Sequence, residues 1–139
     1  MDYSFWKRKI FLSMIAGVLW GFFAMAANLV SGAFEFESTL THNLITFTVG
    51  GIIWSIVTGG ILAVAGGWIP LKGTFAKAVA VSTSFWLVLR LGGVMLSGMN
   101  PDRYHIVTPQ TIQGLILAMV LGAILGVLWD AGAGQRASA

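Results

Sequence analysis

Three stretches of this chain contain no Asp, Glu, Lys or Arg at all: Ile10 to Phe34, Ser38 to Leu71 and Tyr104 to Trp129. Each equals or exceeds the ~20 residues that an α-helix needs to cross the hydrocarbon of a bilayer. Between Lys77 and Asp102 the chain is again apolar, interrupted only by Arg90, which places a further helix at about Phe75 to Ser97. A backbone that enters hydrocarbon must satisfy its polar groups internally, so these runs predict helices and not strands. The composition agrees: 57% of the 139 residues are hydrophobic and 9% are charged, against about a quarter charged in soluble domains. The expected fold is an all-α membrane protein. Four transmembrane helices, at about 10–31, 44–67, 75–97 and 109–129, form one domain over residues 1–130, and residues 131–139 form a flexible tail.

Helix ends are marked by short-range signals. Thr41, Thr74 and Thr108 each precede an apolar run as N-cap candidates, with Pro109 in the first-turn position that tolerates proline. Gly66-Gly67 with Pro70, and Gly98 with Asn100-Pro101, fit helix exits and turns. Loops this short predict an up-down antiparallel bundle. Lys7, Arg8, Lys9, Lys72, Lys77 and Arg136 flank one side and Arg103 alone the other, which predicts both termini in the cytoplasm. The start also has the n-region, h-region and Ala24-Met25-Ala26 site of a cleavable signal, whose removal leaves three helices. The apolar run continues to Val30, however, which favours a retained span.

Lipid tails are as apolar as leucine, so helices in a membrane associate through close approach at small residues and through polar contacts. Gly114, Ala118, Gly122 and Gly126 recur at i+4 on the last helix. Gly17, Gly21, Ala24, Asn28 and Ser31 share a face of the first, and Gly51, Ser55 and Thr58 or Gly59 share one on the second. These stripes read as packing seams within the bundle, or, for at least one of them, as the face of a homodimer. Trp6, Trp68 and Trp129 fall at predicted cytoplasmic ends, where indoles anchor among headgroups. Trp20, Trp54 and Trp86 fall at one midplane depth, where an indole N–H has no water to bond. They read as fillers of glycine grooves, their N–H groups meeting Ser, Thr or backbone carbonyls, or as an aromatic wall around a pocket.

Arg90 is the one charge in the interior of a predicted span, where it costs ~2.5 to 3.5 kcal/mol uncompensated; Lys77 stands in the first turn of the same helix. Thr83, Trp86, Arg90, Gly93 and Ser97 share a face, and Trp86 is one turn from Arg90, within reach of a cation–π contact. Glu35 or Glu37, at the exit of the first helix, is the expected acidic partner. Snorkelling to the surface and an anion or substrate site are the other readings of Arg90. His42, His105, Glu35, Glu37 and Asp102 fall on the same side, but the spacing Asp102-x-x-His105 is the only metal-like feature and predicts no metal site.

Catalytic inventory is poor. Absent cysteine removes thiolate chemistry, and there is neither a nucleophile elbow nor a phosphate loop. The basic residues form no stripe, so no nucleic acid is expected, and no intramembrane carboxylate is present for proton-coupled transport. Ser55, Thr58, Ser82, Thr83 and Ser84 read as packing and backbone-bonding residues.

Gly17-x-x-Trp20, the exit Phe34-Glu35-Phe36-Glu37, the aromatic third helix ending near Asn100-Pro101, and the Thr-rich start of the fourth (Thr108, Thr111) give the chain a resemblance to the YqhR kind of small four-helix membrane protein. The resemblance implies a bacterial integral membrane protein and assigns no residue a role. The expectation is a non-enzymatic accessory or assembly component without cofactor. Its partners are the lipid bilayer and a homodimer or larger membrane complex. The alternative is a small oligomeric channel or transporter for an anion or small solute, using Arg90 and the Trp20, Trp54, Trp86 layer.

Overall fold

The computed structural model describes residues 2–33, 39–99 and 109–137, with backbone alone at 94, 96–99, 109, 110 and 134–137. It is all-helical: α1 (Tyr3–Ser31), α2 (Leu40–Ala65), α3 (Thr74–Met99) and α4 (Pro109–Ala137). All four are long and apolar enough to cross a membrane.

The helices start and stop where local chemistry permits, which is not always where the apolar runs do. The carboxylate of Asp2 caps α1 by accepting from the Ser4 N–H at 3.1 Å. The basic turn is therefore helical, with Lys7 Nζ over the Tyr3 ring one turn earlier, 4.6 Å from its centroid. The cap of α2 is Thr39, accepting from the His42 N–H at 3.2 Å, and not Thr41. Helix α3 begins on Thr74 itself, after Gly73 at φ 82°, a left-handed conformation that glycine alone adopts without strain. Thr108 lies outside the described residues. Helix α4 continues to Ala137 through the segment expected as a flexible tail. A Cβ on Gly132 would stand 3.0 Å from Leu12 Cδ1 and 3.4 Å from Arg8 Nη2, so the extra turns of α4 pack on the extra turns of α1.

Consecutive helices run antiparallel and join as two tight hairpins. In the first, Gly17 packs against the backbone at Gly51 and Ile52, and a Cβ on Gly21 would stand 2.6 Å from Thr48 Cα. In the second, a Cβ on Gly122 would stand 2.6 Å from Val79 Cα, and one on Gly126 2.6 Å from Phe75 Cα. Helix α1 also packs on α4, whereas α2 meets α3 more loosely and α1 does not touch α3 among the described residues. The core between the hairpins is filled by Ala16, Leu62, Ala78, Val81, Leu125 and Trp129. The outer surface is apolar, with Val30, Val64 and Val88 among its exposed side chains.

Trp129 corrects the expectation of an interfacial anchor: it is 5% exposed, inside the core, with Lys9 Nζ 3.8 Å from its ring centroid. Trp68, at 85% exposed, is free to lie outward. The close backbone approach predicts that Gly122→Ala destabilises the protein by about 1 to 3 kcal/mol through overpacking. Gly60→Ala, whose Cβ would meet open space, should be neutral or stabilising by about 0.5 to 1 kcal/mol. Equilibrium unfolding in mixed detergent micelles distinguishes the two.

Candidate functional site

Midway along the bundle, indoles from the first hairpin reach the backbone of the second. Trp20 of α1 donates its Nε1–H to the carbonyl of Leu117 on α4 at 2.8 Å. Trp54 of α2 donates to Ser82 Oγ on α3 at 3.3 Å, and Ser82 donates in turn to the Ala118 carbonyl at 2.7 Å. Two adjacent carbonyls of α4 thus receive both ties. The Trp54 ring also leans on Phe85, with centroids 4.6 Å apart and planes at 47°.

Trp86 of α3 completes the layer against Gly114, where a Cβ would stand 2.9 Å from Trp86 Nε1. The three tryptophans border one cavity of about 260 Å³, together with Phe47, Gly50, Gly114, Leu117 and Ala118. Glycine at 114 is what lets the large ring approach α4. Trp86 therefore both packs and walls a cavity, and the same is true of Trp20 and Trp54.

Arg90 follows Trp86 by one turn and is half-buried. Its guanidinium Nη2 donates to Thr111 Oγ1, near the start of α4. Sequence reasoning sought an acid and missed this hydroxyl, which carries no charge and obeys no spacing rule. Glu35, Glu37, Asp102 and His105 lie outside the described residues, as does any ion pair between Arg90 and Glu35 or Glu37. His42 is exposed at the start of α2, its carbonyl accepting from Thr46 Oγ1 at 2.9 Å.

A polar cluster stands at the same end. Asn28 is 1% exposed and accepts from Gln113 Nε2 at 3.3 Å, while Ser31 Oγ donates to Gln113 Oε1. Asn28 thus faces α4, while Gly17 and Gly21 of its stripe face α2. Gly114, Gly122 and Gly126 all face α3, and Ala118 turns its carbonyl to Ser82. Of the hydroxyls expected to bond backbone, Ser82 does; those of Ser55, Thr58 and Thr83 are buried without a hydrogen-bond partner among the described residues.

The fold and the site define the class no further than four candidate membrane-spanning helices, the make-up of a multi-pass membrane protein. Comparison with protein-family models, curated proteins and solved structures finds no match to this chain.

Ser82→Ala removes the relay and strands the Trp54 N–H, and is expected to cost about 1 to 2 kcal/mol in unfolding free energy. Ser84→Ala, on the exposed side of α3, serves as the silent control. Arg90→Leu should lower the melting temperature by several degrees and Arg90→Lys by less. Equal melting of wild type and Arg90→Leu would remove Arg90 as a tie between α3 and α4.

Proposed function

We propose that the protein is a non-enzymatic accessory or assembly component of the cell membrane, multi-pass with both termini in the cytoplasm, and that Arg90 is a structural pin. The orientation is supported by Lys7, Arg8, Lys9, Lys72 and Lys77, which stand at the end of the bundle holding the termini. The resemblance to YqhR-type proteins adds only a bacterial integral membrane protein, for which the inner membrane is the setting we propose.

One observation carries the accessory role. The loose α2–α3 seam leaves an apolar cleft of about 400 Å³ open at the side of the bundle, lined by Ile61, Ala65, Ala80, Ser84, Phe85 and Val88. Small residues beside an open groove are the surface on which a further transmembrane helix packs well. The alternative of an anion or solute pathway through Arg90 has less support, because Arg90 lines none of the cavities described among these residues.

Gentle extraction from the native membrane followed by native mass measurement is expected to give a complex with at least one other chain, which Ala80→Trp dissociates without lowering the melting temperature. A lone homo-oligomer would overturn the accessory reading in favour of permeation. The chain has no cysteine, so a single Ser4→Cys reports topology: an impermeant maleimide should label it only when the cytoplasmic face is opened.

A further inference from the structure

We infer that the tryptophan-lined cavity binds a flat, uncharged aromatic molecule bearing a carbonyl oxygen, of the quinone or aromatic-ketone class. The inference does not rest on the accessory role.

The size of the cavity, about 260 Å³, falls just below the ~300 to 1,000 Å³ of sites for drug-sized ligands and suits one or two fused rings. Its walls are ring faces and edges from Trp20, Trp54, Trp86 and Phe47. Such walls favour offset stacking and edge-to-face contact with another planar ring.

The polar accounting then selects the chemistry. The N–H groups of Trp20 and Trp54 are already spent on Leu117 and Ser82. The Trp86 N–H lies beside Gly114 on the cavity wall and has no acceptor among the described residues. An indole N–H away from water calls for a partner, so the cavity presents one donor and asks for one acceptor. An aromatic box of this kind also suits a quaternary ammonium ion. Here, however, no carboxylate borders the cavity among the described residues, and a quaternary ammonium ion offers the Trp86 N–H no acceptor. The donor therefore disfavours a cationic guest and favours a carbonyl dipole with its oxygen toward the Trp86 end.

Gly50 provides a clean way to fill the site. It borders the cavity, yet a Cβ there would meet nothing within 4 Å, so a leucine occupies the mouth without pushing on backbone. The test is calorimetric titration of the full chain in lipid nanodiscs, with empty discs subtracted, using 1,4-naphthoquinone, naphthalene and trimethylanilinium as probes. Naphthoquinone is expected to bind saturably and about tenfold more tightly than naphthalene, the increment of one well-formed hydrogen bond. Trp86→Phe should bring the two within about twofold, and Gly50→Leu should abolish both while melting as wild type does. Absence of saturable binding, equal affinity for naphthoquinone and naphthalene in the wild type, tighter binding of trimethylanilinium, or binding that survives Gly50→Leu would each overturn the inference.

Discussion

Backbone-to-backbone approach at glycine is the interaction on which the tertiary structure of this chain depends. In an apolar solvent there is no gain from hiding leucine, so helices adhere only as far as their atoms touch. Gly17 and Gly21 bring α1 onto α2, and Gly122 and Gly126 bring α4 onto α3, at distances that admit no Cβ. Each hairpin is therefore held by dispersion over a narrow contact. Between the hairpins the apolar core is joined by something different in kind: two indole N–H groups that reach neighbouring carbonyls of α4, one directly and one through Ser82. Close packing builds the halves and hydrogen bonds fix their register.

The same division explains where the cavity comes from. A tryptophan is too large for a glycine seam, and three of them at one level cannot interdigitate as small residues do. Trp20 and Trp54 orient themselves by their N–H bonds, and Trp86 by the space that Gly114 leaves. The space that the three rings border stays open.

Much of this was legible in the sequence because charge is so costly in hydrocarbon. The three uncharged runs and the segment that holds Arg90 each overlap one of the four helices, and Gly17, Gly21, Gly122 and Gly126 stand where helices meet. Helix ends were less legible: α1 begins at a capping aspartate rather than after the basic turn, and α4 runs past its apolar segment because Gly132 finds Leu12 and Arg8 to pack on. Direction was the hardest property to read. Helices apolar on every side carry no amphipathic signal, so nothing in the sequence turned Trp129 inward. The tie from Arg90 to Thr111 was hidden for a related reason, since a hydroxyl on a distant helix leaves no mark in either local pattern or net charge.

The unequal seams have a mechanical meaning. With α1–α2 and α3–α4 each closed at glycine, α1 seated on α4, and α2 only lightly against α3, the molecule is two stiff halves joined along one edge. Its softest collective motion is a rocking of one half on the other about the α1–α4 line, which widens the α2–α3 side like the fore-edge of a book. The Trp54–Ser82 hydrogen bond spans that edge, and as a bond of moderate length it acts as a clasp whose opening belongs to the microsecond-to-millisecond range of domain movements.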